Sequence, residues 1–520
     1  MGCIYALAES FSGLQSMHQD NSFILQNALK CINERDLTKA EELLSQALES
    51  SPEDPDLWRF LSVVAAFKSD HVSALELINK AISLNPENGV AYSNKGNILK
   101  ELGRFEEALS SFDEAIRLAP SYPEGYNNRG NTLQDLHLYE ESLIWYDKAL
   151  ALNPEYVEAY FNKGNALEWL HRHQEAMINF NIATSLDPQY VNAYWQKGLS
   201  QLTNGNFELG WQNYEARWTK SNPIQFYYSE IPRLEEINNL SGKKILIWAE
   251  QGLGDTIQFC RYIKLLSQTG AKITFLIPDQ LLNLLKPLRQ FCELKSSLTY
   301  QAQDFAFQSP LLSLPLVFGT TLKSIPCEIP YLGIDEEIER RLESTFPPSP
   351  NLKVGIIWSG GFRLLDSDGY LIGQRRNIQL DQIAKLKEVQ GIDFYSLQKG
   401  DPAESELLLR KDEVWPGLIN CAHLLKDFSD TAALIESLDL IISVDTSTAH
   451  LAGALGKPVW ILNRYDSCWR WLRGQSDSPW YPTATIYQQG SPGDWGGVIE
   501  KVKIDLSLLA KANLQKKDVY

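Results

Sequence analysis

Residues 89–120 read GVAYSNKGNILKELGRFEEALSSFDEAIRLAP, and residues 122–154 and 156–188 repeat the same pattern. Each of the three units has a tyrosine, a glycine four residues later, and further on a small residue and an aromatic ring. Prolines recur every 34 residues, at positions 52, 86, 120, 154 and 188. A glycine lets two helices approach, a ring fills the space between repeats, and a proline ends the second helix. The pattern therefore predicts stacked helical hairpins.

A period of 34 residues is that of tetratricopeptide repeats. Weaker units flank the three clear ones at about 19–52, 53–86 and 189–222. We therefore predict an α-solenoid, a superhelix of about six tetratricopeptide repeats, over residues 19–222.

Asparagines recur in pairs on the first helix of each clear unit, at Asn94 and Asn97, Asn128 and Asn131, and Asn162 and Asn165. A spacing of three residues places each pair on one helical face. Stacked units would then present side-chain amides that pair with the N–H and C=O groups of an extended polypeptide. The alternative is that one asparagine in each unit bonds the neighbouring repeat. We favour the peptide groove.

Composition excludes several classes of function. Lys and Arg total 48 against 65 Asp and Glu, a net charge of -17, which argues against a broad nucleic-acid-binding surface. No apolar stretch approaches the roughly 18 residues that span a bilayer. The N-terminal MGCIYALAES lacks a basic region and has Ala6 where a myristoylation pattern requires Ser or Thr. The seven cysteines form no C-x-x-C pair, so we expect free thiols and a cytoplasmic location.

The repeat pattern ends after residue 222, and residues 223–242 are interpreted as a connector. Beyond them apolar strands alternate with helices, which predicts parallel sheets with helices on both faces. A proline-rich break at 346–351 separates two such lobes, residues 243–346 and 352–505. Three finer predictions are a helix at 281–288, a loop at 310–319 and a long polar loop at 359–374.

Three loops follow predicted strands: EQGLGD (250–255), WSGG (358–361) and VDTSTAH (444–450). Ligands bind beyond the carboxyl ends of strands in such sheets, so the loops are expected to meet in one cleft between the lobes. A dehydrogenase is disfavoured, because Ile257 stands where the third glycine of G-x-G-x-x-G belongs.

The segments GLGDTIQ, VGIIWSG and SVDTSTAHLAGALGKPVWIL resemble the glycosyltransferase-B (GT-B) fold, with its two Rossmann-like lobes, and most of all the heptosyltransferase family. The repeat half, with its AYSNKGN phrase, resembles the superhelix of O-linked N-acetylglucosamine transferases. The combination is similar to bacterial fusions of tetratricopeptide repeats with a glycosyltransferase. This resemblance covers about residues 19–505. It implies an acceptor-binding first lobe and a second lobe that binds a nucleotide sugar.

The segment SVDTSTAH places a helix N-terminus after a strand, where free backbone N–H groups favour an anion. Hydroxyl donors follow at Thr446, Ser447 and Thr448, and His450 in the first turn can donate to a phosphate or sugar oxygen. The resemblance gives Asp445 a role in holding the donor sugar, and Thr446 and Ser447 a role at the phosphates. The alternative is a threonine cap with a core histidine.

Cations suited to the diphosphate are Arg375 and Arg376, near which the resemblance places a basic residue. We prefer Arg376, with Lys399 as a weaker candidate. Backbone could approach the ligand at Gly360 and Gly361. Further nucleotide contacts are proposed at the start of a later helix, at Ser429 and Thr431. In the Trp-rich segment 468–489, the aromatic residues together with Arg470 and Arg473 are candidates for stacking on a base or sugar, but we favour the alternative that most of these aromatics clamp the C-terminal segment between the lobes.

The acceptor base implied by the resemblance is Asp255, an acid in the glycine loop of the first lobe, with Glu250 on the same loop as runner-up. Gly252 and Gly254 shape that loop. Two alternatives stay open for Asp255: it orients the acceptor, or it caps the helix that follows.

We expect no metal ion. The DSD triplet at 366–368 lies in a glycine-bearing polar loop, and the HRH triplet at 171–173 has a spacing that would point its rings apart on a helix. Our leading hypothesis is an inverting, metal-independent glycosyltransferase whose repeats present a protein acceptor. The alternatives are a glycan or lipid-linked saccharide acceptor with the repeats used for docking, and a non-catalytic repeat scaffold.

Overall fold

The structure, a computed structural model, describes residues 19–334, 338, 340, 349–361 and 367–517. The chain divides into two compact units. The first comprises residues up to 197 together with 219–223, and the second comprises residues 198–218 together with those from 224 onward.

Helical hairpins form the first unit and continue into the start of the second. In the described chain from residue 19 to 214 there are twelve helices in six successive pairs. They are α1 (Gln19–Asn33), α2 (Leu37–Ser50), α3 (Pro55–Phe67), α4 (His71–Leu84), α5 (Gly89–Glu101), α6 (Phe105–Leu118), α7 (Pro123–Asp135), α8 (Tyr139–Leu152), α9 (Val157–Trp169), α10 (His173–Leu186), α11 (Val191–Thr203) and α12 (Phe207–Tyr214). Contacts divide the last pair, because residues 198–218 pack within the second unit.

The glycine and the ring of each clear repeat pack against each other. A Cβ on Gly130 would lie 2.7 Å from Cε1 of Tyr146, and one on Gly164 would lie 2.5 Å from Cε1 of Phe180. Both rings are fully buried. They also belong to one core with Leu143 and Leu167, which spans two neighbouring hairpins. Glycine is required at these positions because nothing larger leaves room for the ring.

The turn inside each hairpin uses one left-handed residue, and this residue recurs every 34 positions. The residues and their φ angles are Arg35 (62°), Ser69 (64°), Gly103 (72°), His137 (62°), His171 (58°) and Gly205 (78°). The N–H of the next residue bonds a carbonyl five residues back, for example Leu138 to Leu133 at 2.8 Å, so the first helix ends in a Schellman motif. This geometry corrects the interpretation of the HRH triplet. His171 lies in the turn rather than on a helix, and its ring centroid is 5.6 Å from that of His173.

The first sheet of the second unit has four parallel strands in the order β3-β2-β1-β4. They are β1 (Lys244–Trp248), β2 (Lys272–Leu276), β3 (Glu293–Lys295) and β4 (Phe307–Pro310). The helices of this region are α13 (Leu253–Phe259), α14 (Arg261–Ser267) and α15 (Leu314–Val317).

Two predictions for this region are wrong. The helix predicted at 281–288 is replaced by 3-10 turns at Asp279–Leu281 and Lys286–Gln290, because Pro287 cannot continue an α-helix. The loop predicted at 310–319 begins with the last residue of β4 and contains α15.

Residues 224–242, nearly all of the predicted connector, are part of the second unit. Ile231 is buried in a cluster with Leu246 and Trp248 of β1, and Phe226 packs against the same cluster. Arg233 forms a parallel bridge to Gln308 of β4. The predicted connector therefore covers one side of the first sheet.

The second sheet has six parallel strands in the order β10-β9-β8-β5-β6-β7. They are β5 (Leu352–Ile357), β6 (Ile392–Ser396), β7 (Ile419–Asn420), β8 (Leu440–Val444), β9 (Val459–Asn463) and β10 (Ala484–Gln488). The helices are α16 (Ser367–Arg376), α17 (Leu380–Ile383), α18 (Ala403–Val414), α19 (Phe428–Glu436), α20 (Ser447–Ala454) and α21 (Trp495–Lys517). The central strands β5 and β8 are almost entirely buried, which explains their continuous apolar sequences.

Two sequence boundaries change here. Residues 367–376 form α16, so the polar loop predicted at 359–374 is wrong over its second half, while residues 362–366 lie outside the described part. The two glycines of SDGYLIGQRR disfavour a helix on propensity alone. In the DSD triplet, residues 367 and 368 begin α16, and residue 366 lies outside the described part. In the proline-rich break, residues 346–348 also lie outside the described part. Helix α21 runs on to Lys517, beyond the predicted end at 505.

No helix in the described ranges is long and apolar enough to cross a membrane. Over the same residues, no group of three His, Cys, Asp or Glu side chains is placed to hold a metal ion. The six cysteines of the described chain are free thiols.

Candidate functional site

The strand order of the second sheet defines where a ligand is expected. Read from β7 to β10, it is the doubly wound order 3-2-1-4-5-6, and its two halves meet between β5 and β8. The loops after these two strands begin at Trp358 and Asp445. Ligands of such sheets bind in the crevice at this switch point, beyond the carboxyl ends of the strands. The predicted loops WSGG and DTST lie there.

Arg376 joins these two loops. Its guanidinium donates to the carbonyl oxygen of Asp445 at 3.3 Å and to that of Gly361 at 3.2 Å. A Cβ on Gly360 would collide with the guanidinium, so the glycine makes room for the arginine. The neighbouring Arg375 instead forms an ion pair with Asp466 at 3.2 Å. Of the two predicted cations, Arg376 is the one at the switch point.

The N-terminus of helix α20 lies at the same switch point between β5 and β8. Thr446 caps the helix, because its Oγ1 accepts the N–H of Ala449 at 3.4 Å and lies 3.0 Å from Oγ of Ser443. The half-buried Ser447 and Thr448 follow in the first turn, where N–H groups have no partner within the helix. The helix start can thus attract an anion, even though the Thr446 hydroxyl already serves as the cap.

The glycine loop of the first sheet meets α20 directly. Helix α13 packs against α20, and a Cβ on Gly254 would lie 3.0 Å from Cδ2 of His450 and 3.2 Å from Cα of Ser447. The loops EQGLGD and DTSTAH, predicted to converge, are therefore in contact. Gly252 is the N-cap residue of α13.

Asp255 uses both carboxylate oxygens. Oδ2 accepts the N–H of the N-cap residue Gly252 at 2.9 Å, which is the half of a capping box that the N3 carboxylate supplies, at the start of α13. Oδ1 forms an ion pair with the guanidinium of Arg470, which lies between the tryptophans of the WRW segment. The helix-capping role that the sequence left open is thus present. The pair with Arg470 is not predictable from either segment alone.

His450 is a buried, neutral imidazole. Burial, together with the charge of Arg470, lowers the pKa of His450 to about 4, although Asp445 and Asp255 oppose this shift. Its ring stacks on Trp471 with centroids 5.0 Å apart, and its Nδ1 lies 3.0 Å from the hydroxyl of Tyr481. A neutral ring whose Nδ1 accepts a hydrogen bond from the Tyr481 hydroxyl carries its own proton on Nε2, and Nε2 lies 3.8 Å from Oδ1 of Asp445.

Asp445 lies among cations. Burial would raise the pKa of its carboxyl, but His450, Arg464 and Arg470 together hold that pKa below its usual value. With Arg376 bonded to the Asp445 carbonyl, three arginines surround the loop after β8. Two of these arginines have carboxylate partners, since Arg464 pairs with Asp466 at 3.0 Å and Arg470 pairs with Asp255.

Glu250 has a structural position. Its carboxylate lies 3.3 Å from Nη2 of Arg217, and both side chains are fully buried. It also accepts the N–H of Leu312 at 3.2 Å, which links the loop after β1 to the loop after β4. Burial raises the pKa of Glu250 to about 7, although Arg217 opposes the shift. A carboxylate held in this way supports the first sheet and does not present itself to an acceptor.

The remaining predicted contacts are engaged locally. Lys399 donates to the carbonyl of Ala422 at 3.1 Å and pairs with Glu404 at 3.2 Å. The hydroxyls of Ser429 and Thr431 bond to Asp427, the N-cap of α19. Ser429 also lines a cavity of about 210 Å³ together with residues 283–287, on the first-sheet side.

The asparagines of the repeats link neighbouring hairpins. Asn128 donates to Oγ of Ser93 at 3.4 Å, and Asn162 donates to Oδ1 of Asn127 at 3.1 Å, in each case across 35 residues. Asn131 accepts the Tyr146 hydroxyl at 2.8 Å within its own hairpin.

Their accessibility differs along the array. Asn94, Asn97 and Asn128 are buried, whereas Asn131, Asn162 and Asn165 are half-buried. The bond between repeats, which the sequence left as an alternative, is present at Asn128 and Asn162.

Comparison with known proteins concerns mainly the repeats. Models of the tetratricopeptide repeat match residues 32–89, 77–110, 96–136, 123–156 and 145–178. The predicted repeats are thereby confirmed. Protein FlbA of Caulobacter vibrioides is 26% identical over 342 residues, which cover 58% of this chain and 52% of FlbA. The chain thus spans about half the length of that curated relative.

Solved tetratricopeptide proteins are similar over about a third of the chain. A thermophilic protein of Thermus thermophilus is 20% identical, with 35% of this chain and 99% of that chain covered and a TM-score of 0.33. PilF of Pseudomonas aeruginosa is 20% identical, with coverages of 38% and 90% and a TM-score of 0.34. YrrB, described as having an unusual peptide-binding site, is 20% identical, with coverages of 37% and 100% and a TM-score of 0.28.

Proposed function

We propose that this protein is a glycosyltransferase of the GT-B class, which moves a sugar from a nucleotide-sugar donor to an acceptor with inversion and without a metal ion. One observation carries the proposal. At the switch point of a doubly wound six-stranded sheet, a helix N-terminus and three arginines surround one loop. A diphosphate carries the opposite charge and fits both kinds of donor.

The leaving group determines what this site must do. As the acceptor oxygen bonds to the sugar C1, the bond from C1 to the diphosphate oxygen breaks, and negative charge grows on the diphosphate. The first turn of α20 and the guanidinium of Arg376 are placed to stabilise that charge. A fixed guanidinium together with a helix N-terminus can replace a metal ion, and this is the basis for proposing a metal-independent reaction.

His450 and Asp445 fit the donor sugar. A neutral imidazole with its proton on Nε2 donates one hydrogen bond, and the ionised Asp445 carboxylate accepts from sugar hydroxyls. Because His450 is fixed by Tyr481 and Trp471, its donor has one direction. We therefore assign His450 to binding of the donor and not to proton removal.

Asp255 is the proposed base. It lies on the first-sheet side of the contact between α13 and α20, and the capping bond with Gly252 fixes its position. The acceptor hydroxyl gives its proton to this carboxylate as its oxygen attacks C1 from the face opposite the diphosphate, so the configuration inverts. Glu250, bound to Arg217 and Leu312, is not available for this task.

A polypeptide is the proposed acceptor. Tetratricopeptide repeats imply peptide or protein partners, and the half-buried amides of Asn131, Asn162 and Asn165 offer donors and acceptors to an extended backbone. These amides would recognise the peptide backbone and discriminate little between peptide side chains, so binding would depend mainly on an extended conformation of the peptide.

Titration calorimetry with ADP, CDP, GDP and UDP tests the donor site. At least one diphosphate should bind the full chain, and Arg376→Met should weaken it by about 10- to 100-fold, since a hydrogen bond to a charged group contributes roughly 1.5–3 kcal/mol. Arg410→Met is the matched control, because Arg410 is another helical arginine whose partners, Asp381 and Glu406, lie on the surface. It should leave affinity unchanged.

Two results would sink the proposal. One is a wild-type chain that binds none of the four diphosphates. The other is equal weakening by both arginine variants, with circular dichroism showing that both are folded. If neither result is obtained, a mass-spectrometric survey of which nucleotide sugar is consumed would identify the donor.

A further inference from the structure

The ion pair between Asp255 and Arg470 joins the two sheets' loops at the candidate site. We propose that a diphosphate bound at α20 takes over the guanidinium of Arg470 and thereby frees the Asp255 carboxylate to accept the acceptor proton. Arg470 is then a positioning residue that makes the base available only when the donor is bound. This inference rests on the proposed function.

The surroundings of Arg470 show that its guanidinium has capacity beyond this pair. The side chain is 11% exposed and lies over the ring of Trp469, with 4.2 Å between the guanidinium carbon and the ring centroid. One terminal nitrogen binds Asp255 and the other reaches only Sγ of Cys468, a weak acceptor, at 3.2 Å. Its buried Nε–H has no hydrogen-bond partner among the residues that the structure describes. A buried donor without an acceptor is costly, and a phosphate oxygen would satisfy it.

The position of Arg470 also fits an anion at α20. Arg470 is bonded to Asp255, and a Cβ on the adjacent Gly254 would lie 3.2 Å from Cα of Ser447 at the start of α20. The charge of Arg470 also helps to lower the pKa of the Asp445 carboxyl, after burial, His450 and Arg464. Asp445 is the residue directly before the cap of α20. The guanidinium therefore lies between a carboxylate on the first-sheet side and the helix start on the second-sheet side. A diphosphate brings more negative charge than one carboxylate and offers a bidentate partner, so it competes with Asp255 for the same cation.

The chemical consequence concerns the proton. The guanidinium occupies Oδ1 of Asp255 while Oδ2 accepts the capping bond from Gly252, so both carboxylate oxygens are engaged as long as the ion pair persists. When Arg470 turns to the diphosphate, Asp255 keeps only the capping bond from Gly252. The acceptor oxygen then bonds to C1, the C1–diphosphate bond breaks with its electron pair on the leaving oxygen, and the hydroxyl proton passes to Asp255. Charge is conserved, because the negative charge of Asp255 is replaced by the new charge on the diphosphate.

Reciprocity of coupling gives a test that needs no sugar or acceptor. If diphosphate binding weakens the Asp255–Arg470 pair, then removing the pair must strengthen diphosphate binding by the same factor. Asp255→Asn removes the charge while its side-chain oxygen can still cap α13. We expect it to raise the affinity for whichever of ADP, CDP, GDP and UDP the wild type binds, by about tenfold, within the range typical of such coupling.

The dependence on Arg470 completes the double-mutant cycle. The gain from Asp255→Asn should disappear in an Arg470→Met background, and Arg470→Gln, which also removes the charge, is measured in parallel in case the methionine variant misfolds. Asp304→Asn is the matched control, because Asp304 likewise accepts the N–H of an N-cap residue three positions earlier, Gln301, and is far along the chain from α20. It should leave affinity unchanged.

Each outcome is decisive. A tenfold gain that depends on Arg470 supports the inference. Unchanged or weaker binding in Asp255→Asn, or an equal gain in the Arg470→Met and Arg470→Gln backgrounds, overturns it while leaving the donor site in place. Failure of both wild type and Asp255→Asn to bind any of the four diphosphates overturns the inference together with the proposed function.

Discussion

Two glycines on one helix are predicted to respond oppositely to the same substitution. Both Gly125 and Gly130 lie in α7, five residues apart. A Cβ on Gly130 would be 2.7 Å from the ring of Tyr146, whereas one on Gly125 would be 3.5 Å from its nearest neighbours, an ordinary contact. Gly130→Ala should therefore destabilise the repeats, and Gly125→Ala should stabilise them.

The magnitudes follow from two opposing terms. Replacing a helical glycine by alanine gains up to about 1 kcal/mol of stability. At Gly125 this term acts alone. At Gly130 it is outweighed by overpacking, which costs about 1–3 kcal/mol in a well-packed core. The Tyr146 ring cannot yield easily, because it is fully buried and its hydroxyl bonds Asn131 and Gln134 at 2.8 Å each. We expect a net loss of about 1 kcal/mol, so the two variants differ by about 2 kcal/mol.

Hydrogen exchange of the α7 and α8 amides measures this difference locally in the full chain. A gap of about 2 kcal/mol corresponds to about a 30-fold difference in exchange rate between the two variants. The wild-type rate should lie between them. Equal shifts in the same direction, or greater protection in Gly130→Ala than in wild type, would show that the glycine does not serve to admit the ring.

Two further predictions concern buried polar groups. Because burial raises the pKa of Glu250 to about 7, above its unfolded value, its contribution to stability is present at low pH and is lost as pH rises through about 7. In wild type the melting temperature should fall between pH 5 and pH 8, and this fall reflects up to about 3 kcal/mol of lost stability. Glu250→Gln should make the fall smaller; an equal fall in the two proteins would contradict this. Asn162→Ala should lower the free energy of unfolding of the repeats by about 1 kcal/mol, because it removes the bond to Asn127. Asn165→Ala should lower it less, because the described residues provide no side-chain hydrogen bond to Asn165. Urea denaturation measures both values. Equal costs would show that the bond between repeats contributes nothing.

The elements that the sequence predicts are those fixed by local patterns. The glycine and ring of each repeat are 16 residues apart, so one period contains the whole packing unit. Strands β5 and β8 are buried on both faces and read as continuous apolar runs. Strand β4, with the sequence FQSP, has no such run, and its pattern alone does not indicate a strand.

The site divides in the same way. The loops after β1, β5 and β8 are predictable because each follows a clear strand, and strand ends share one edge of a sheet. The partners within the site are not. Asp255 and Arg470 are 215 residues apart, and nothing in EQGLGD or CWRW selects one for the other. Likewise, the burial of Glu250 against Arg217 depends on residues 33 positions away that precede the sheet altogether.

The recurring left-handed turn makes the repeat array editable in whole units. Gly103 and His137 have φ angles of 72° and 62° at equivalent positions, so joining residue 103 to residue 138 recreates a turn of the kind already present. Deletion of residues 104–137 would shorten the superhelix by one hairpin, and every remaining turn within a hairpin would still contain a left-handed residue at the equivalent position. Array length is therefore a variable that gene duplication or excision can change in single steps, without a new fold having to be found each time.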